Sequence, residues 1–378
     1  MLQAGQFDEA LLKVKSSQPA SQVVRLHILD SIRGWASVQV LVYHVCSEMF
    51  SAKLPDFRFN GILNAAFAVA IFFVLSGEAL SYAYFVKKDI NIVRKQALKR
   101  YLRLAIPISV SCFMVFLLMK ANLVFSHEVA PILERTDWLG GFVNFDASFK
   151  SLVSYVFFGV FFNHTRDTSY NPFLWTMSVE LFGSVLLFLV LFLAKTSRQR
   201  YIIYIILAPF LIKYNPYLGC FIFGMLFGEL RASGLFQLLC AQKATNWIAL
   251  LVIIAVILSS FVYPSFLSRE RYFSFAAALF LFAIYCSKWL QVVFDNRLSR
   301  FLGEISFPIY LVHFPIIISL QSYLVLLLFP NGIVTREGAS IIIALTVCTS
   351  LFVAYCFRPV ERIAIKTSNR FFVFIDHA

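Results

Sequence analysis

The sequence predicts an all-α fold, a polytopic transmembrane helix bundle of about ten spans with both termini cytoplasmic. Three observations carry that expectation. Hydrophobic residues make up 60% of the 378 and charged residues only 14%, whereas soluble domains run near half apolar and a quarter charged. The excess is gathered into long blocks such as Gly61 to Phe85, Phe173 to Ala194 and Ile305 to Phe329. Each is long enough to cross a hydrocarbon core, which takes about 20 residues. The polar remainder is mostly short loops, so the length forms one bundle with little chain left for an extramembrane domain.

The expected spans are 34–50, 61–85, 103–121, 173–194, 200–213, 215–231, 246–263, 272–290, 304–329 and 339–357. The fifth is short, and a tight turn at Lys213–Pro216 joins it to the sixth. Ser151 to Phe162 is apolar but too short to cross unaided. It is placed as an interfacial or re-entrant piece. With the termini inside, about two-thirds of the 33 lysines and arginines fall in cytoplasmic segments, as the positive-inside rule requires. Letting Ser151–Phe162 span would invert every later loop and put the basic Lys195–Arg200 loop outside. The resulting division is a cytoplasmic tail with the start of the first helix over 1–33, a transmembrane domain over 34–357, and a cytoplasmic C-terminal tail over 358–378.

Several function classes drop out. The net charge of +13 would suit nucleic acid, but the basic residues are scattered through short loops and not gathered on one face, so no nucleic-acid partner is expected. The seven cysteines form no CxxC pair; six lie in apolar runs and read as buried free thiols, with neither zinc nor disulfides indicated. Residues 1–25 carry Asp8, Glu9, Lys13, Lys15 and Arg25 without a long apolar core, so no signal peptide is expected. The longest polar stretch, Ala121 to Pro172, is an irregular outer segment that holds Trp138.

Ionisable residues inside spans are costly and mark functional sites by default. The first span opens Asp30–Ser31–Ile32–Arg33 and carries His44 and Glu48. Arg33 and His44 are eleven residues apart, about three full turns, so a straight helix sets them on one face roughly 16 Å apart. Glu48 is one turn further on. Asp30 reads equally as an N-cap, and His44 alone would read as a core histidine. Arg33 on its face favours a functional imidazole. The second span ends in Phe72–Phe73–Val74–Leu75–Ser76–Gly77–Glu78, where Ser-Gly permits close packing and Glu78 needs a partner. Arg100 and Arg103 are i, i+3 neighbours ahead of Pro107, suited either to clamping a phosphate or to anchoring at the interface. Of the two, Arg100 is expected to be the more exposed. Glu180 follows roughly two turns of otherwise apolar helix in Asn171–Glu180 and should face protein or water. Glu304 lies near the cytoplasmic edge of the ninth span, and His313 lies deeper between Pro308 and Pro315. Gly224 and Gly228 read as a helix-packing GxxxG.

Together these residues resemble the acyltransferase-3 family of membrane acyltransferases. The match comprises Arg33-x10-His44, the FFVLSG of Phe72 to Gly77, Arg100-x-x-Arg103 with Pro107, the WxxSVE of Trp175 to Glu180, and the GEISFPIYLVH of Gly303 to His313. The order and spacing agree over nearly the whole chain. One departure is Glu78, where the family usually has a large apolar residue. The resemblance implies transfer of an acyl group, usually acetyl, from acyl-CoA arriving from the cytoplasm to a hydroxyl, often on a lipid-linked glycan. No bound cofactor is implied. It places His44, Arg33 and Glu180 in catalysis, with His44 as general base or transient acyl carrier. It places Arg100, Arg103, Ser76, His313 and Glu304 in donor or substrate binding. The expected partners are the bilayer, acyl-CoA and the acceptor, in a cell membrane of the bacterial inner-membrane type. A secondary transporter of a polar solute is the alternative, against which no matching broken segments occur in two halves.

Overall fold

The computed structural model describes residues 27–262 and 267–377. The expected N-terminal tail over residues 1–26 lies outside the described residues, and so does the last residue of the expected seventh span. Among the described residues every regular element is helical. In chain order they are α1 (His27–Val42), α2 (Ala65–Lys87), α3 (Ile90–Lys120), α4 (Ser126–Ile132) and α5 (Phe149–Phe162). These are followed by α6 (Thr176–Leu193), α7 (Ser197–Tyr214), α8 (Pro216–Ala232), α9 (Leu235–Ala241), α10 (Lys243–Ser259) and α11 (Arg269–Cys286). The series ends with α12 (Lys288–Phe294), α13 (Arg297–Glu304), α14 (Ser306–Ile316), α15 (Ser322–Leu328) and α16 (Arg336–His377).

Five helical stretches are long and apolar enough to cross a membrane. They are α2, α3, Pro172–Leu193, Ser306–Leu328 and α16. The number rises to 7 if the bent pairs α8–α9 (71°) and α11–α12 (103°) each count as one span. The expected ten intervals all contain helix, but the first, fifth and seventh fall short as spans by this measure. α7 carries three charges, and α10 has only 17 residues. α5 is likewise a shorter apolar helix, with Phe157, Phe158 and Phe162 exposed along it. The last helix does not stop at the expected span end near 357; it runs through Pro359 for 42 residues.

The chain forms two compact units. The first comprises residues 27–36, 60–97 and 182–303 among those described. Its centre is the pairing of α2 with α8. A Cβ on Gly77 would strike the Phe221 carbonyl, and one on Gly224 would strike the Val74 carbonyl. The two backbones therefore touch, as small residues allow. Glu78 finds its partner here: its Oε1 accepts from Arg231 Nε at 2.5 Å. The Arg231 guanidinium also lies 4.3 Å from the Tyr285 ring centre. Arg200 is buried in the same unit, with Nη2 donating to Glu229 at 2.6 Å and Tyr204 donating to the same carboxylate. Arg200 and Arg231 thus serve as internal partners as well as loop charges. Backbone contact recurs where a Cβ on Gly34 would meet Gly303 and one on Gly303 would meet the Asp30 carbonyl.

The second unit comprises residues 37–59, 98–181 and 304–377. It holds three π turns, at Tyr43–Glu48, Tyr155–Gly159 and Ile317–Gln321. A π turn widens the helix and disturbs its regular bonding ladder, and such turns concentrate at functional sites. The turn at Ile317–Gln321 follows Pro315, whose ring cannot donate to the Leu311 carbonyl. All seven cysteines are free, but Cys348 and Cys356 on α16 are exposed and not buried as expected.

Candidate active site

The second unit brings His44 and His313 together. His44 sits in the π turn that continues α1, and His313 sits on α14, one turn after Ile309. The two imidazoles lie parallel, with centres 5.4 Å apart and an interplanar angle of 2°. His44 Nδ1 is 3.2 Å from His313 Nε2. His313 Nδ1 is 3.0 Å from the Ile309 carbonyl oxygen. His313 is buried, at 1% exposure, while His44 is partly exposed.

Phe173 forms the floor under both rings. Its centre lies 4.2 Å from His44 and 5.0 Å from His313, stacked on each. Its placement follows from local bonding. The Asn171 side chain accepts from the Phe173 N–H at 3.1 Å, opening the 3₁₀ turn Pro172–Trp175 with proline in its first turn. Tyr310 donates to the Phe173 carbonyl at 2.5 Å and is itself 2.7 Å from Thr176 Oγ1. Since the tyrosine proton goes to a carbonyl, Thr176 is the donor of the second bond. Asn171 Nδ2 also donates to Ser111 Oγ at 3.4 Å, and Ser111 donates onward to the Leu311 carbonyl at 2.7 Å. That carbonyl is the one Pro315 leaves unserved.

Trp138 completes the aromatic wall, its ring centre 6.2 Å from both His44 and Phe173. Arg135 lies 5.6 Å from the Trp138 ring centre and pairs with Glu48. Glu48, from the same π turn as His44, therefore anchors the loop that bears Trp138. That loop includes Val143, which has a φ of +48°. This is a strained conformation for a β-branched residue, of the kind that concentrates at functional sites. Outside the helices, burial lowers the His164 pKa against an opposing backbone hydrogen bond at Pro172. The Gln321 amide donates to the Val45 carbonyl at 2.8 Å, tying the π turn after His313 to the π turn that carries His44.

The remaining residues singled out in the sequence fall as follows. Arg100 and Glu180 form an ion pair with little exposure. This corrects the expected order of exposure, because Arg103 is the exposed member of the pair of arginines. Glu304 pairs with Arg358 at 3.2 Å. Arg33 and Ser76 belong to the first unit, where Arg33 lies 3.8 Å from Asp30 and Ser76 is half-buried on α2. Sequence reasoning missed Phe173, Asn171, Ser111, Tyr310 and Gln321. Only the prolines flanking His313 hinted at them, since a proline implies a stranded carbonyl and hence a donor elsewhere.

Comparison with known proteins is consistent with this picture. A family profile described as "Acyltransferase domain" matches residues 26–358. The chain is 24% identical to "O-acetyltransferase PaAT-1" of Phomopsis amygdali, over 81% of this chain and 76% of that protein. No solved structure matches.

Proposed function

The chain belongs to the acyltransferase-3 family of membrane acyltransferases, and we propose that it moves an acyl group from acyl-CoA to a hydroxyl of a glycan or other lipid-linked acceptor, with His44 as the base. The observation that carries this reading is the partly exposed His44 imidazole, stacked on Phe173 and engaged at one nitrogen by His313. Histidine is the side chain whose proton exchange suits neutral pH. The acceptor oxygen attacks the thioester carbonyl carbon as its proton passes to His44. The tetrahedral intermediate collapses with cleavage of the C–S bond, and the proton on His44 leaves with the CoA sulfur.

In this reading the arginines serve the anionic donor. Arg103 meets its phosphates, for which a guanidinium fork is suited, while the role of Arg33 rests on the family resemblance alone. Glu180 acts by fixing Arg100 and not on the reacting atoms. Ser76 and Glu304 rest on the family resemblance alone. Acetyl is the favoured acyl group, in keeping with the name of the relative. We place both termini on the cytoplasmic side of a cell membrane, on the charge bias of the loops.

The test is reconstitution. Protein in proteoliposomes supplied with acetyl-CoA and a hydroxyl acceptor is expected to release free CoA and yield acylated acceptor. Flux of a polar solute without CoA release would support the transporter reading instead.

A further inference from the structure

We propose that His313 is a positioning residue that fixes His44 as its Nδ1–H tautomer, leaving His44 Nε2 as the bare lone pair that receives the acceptor's proton. The inference rests on the reading of His44 as the base and goes beyond it by assigning each ring nitrogen.

A single chain of contacts links the Ile309 carbonyl, His313 and His44. A backbone carbonyl only accepts, so the 3.0 Å contact of His313 Nδ1 with the Ile309 oxygen puts a proton on His313 Nδ1. A neutral imidazole carries one N–H, so His313 Nε2 is then an acceptor. The 3.2 Å contact between His313 Nε2 and His44 Nδ1 needs one proton, and only His44 Nδ1 can supply it. His44 Nε2 is left without hydrogen. It is the nitrogen able to take a proton, and His44 is the more exposed of the two rings.

The carbonyl at the root of this chain is secured by its surroundings. Ile309 lies one turn before His313 on α14, and that helix is held by the Ser111 bond to Leu311. Phe173 stacks on both rings and prevents either from rotating out of plane without losing that contact. The donor–acceptor direction is therefore set by fixed groups rather than by chance rotamers. When His44 becomes cationic during transfer, its Nδ1–H remains directed at the His313 lone pair. That charge-assisted bond stabilises the imidazolium. The proton added at Nε2 is the one returned to the departing sulfur, so the cycle closes with both tautomers restored.

The test compares two substitutions. His313→Gln keeps an acceptor oxygen near the place of Nε2, whereas His313→Leu fills similar space without one. The expected result is a kcat for the Gln variant within about tenfold of wild type. For the Leu variant it is a kcat reduced about 100-fold or more, the usual scale of a general base, with donor KM nearly unchanged. Nitrogen-15 NMR of histidine-labelled wild-type protein in detergent, with His44 assigned by loss of its signal in His44→Ala, is expected to show protonated Nδ1 and bare Nε2. The Leu variant is expected to show a mixture of tautomers at His44. A wild-type His44 protonated at Nε2 overturns the proposal even if neither variant folds. So does a Leu variant with wild-type kcat. If His44→Ala itself stays active, the failure belongs to the role of His44 as base. If it is inactive while His313→Leu is active, only the positioning role fails.

Discussion

Ser111 Oγ donates to the carbonyl oxygen of Leu311 at 2.7 Å, taking the place of the N–H that Pro315 lacks. Both side chains are fully buried, out of reach of bulk water. Ser111→Ala is therefore expected to lower stability by about 1–3 kcal/mol, the usual effect of stranding a buried polar group. Restoring the backbone donor with Pro315→Ala should remove most of that effect. The check is a double-mutant cycle by thermal unfolding in detergent. Equal effects of Ser111→Ala in the two backgrounds would show that the serine does not serve this carbonyl.

Glu78 departs from the family pattern, and its partner is Arg231 on the next-packed helix of the same unit. Removing either side chain alone leaves a buried charge unpaired. Glu78→Leu and Arg231→Met are each expected to destabilise by about 3–5 kcal/mol. The double substitution, which replaces the pair by apolar groups, should recover most of the loss. Unfolding midpoints of the four proteins decide it. Additive losses would mean that the two residues are not coupled.

Arg100 and Arg103 share a helix but have different surroundings. Arg100→Ala strips a poorly exposed Glu180 of its ion-pair partner, and a lower unfolding midpoint is the expected consequence. Arg103→Ala changes an exposed residue, so a near-normal midpoint is expected together with a donor KM raised about tenfold, the scale of one charge-assisted contact at 1.4 kcal/mol. Steady-state kinetics with donor and acceptor varied separately distinguish the two. An unchanged donor KM in Arg103→Ala would remove it from the donor site.

Much of this arrangement was legible in the sequence, for reasons that can be stated. His44, His313 and Glu180 stood out because ionisable groups in apolar runs have few structural excuses, and Arg100 stood out by its i, i+3 spacing from Arg103. The packing role of Gly224 was visible because GxxxG has one common meaning. The turn at Lys213–Pro216 was equally plain, since Asn215 caps α8 and Pro216 sits in its first turn. What stayed hidden depends on tertiary contact. Phe173 is one of 43 phenylalanines, and nothing local marks it as the shelf beneath two imidazoles. The π turn at Tyr43–Glu48 has no sequence signature, so the straight-helix face drawn through Arg33, His44 and Glu48 missed that Glu48 turns to Arg135. Arg231 and Arg200 read as loop charges because positive-inside counting does not see their buried partners, Glu78 and Glu229.

The central claim is that His44 is the base for acyl transfer, and one comparison tests it most directly. Wild type and His44→Ala are brought to equal levels in proteoliposomes, and CoA release is measured with acyl-CoA and acceptor present. The account predicts a loss of at least about 100-fold in kcat for the variant, with insertion and unfolding midpoint preserved. Activity within a few-fold of wild type would contradict it.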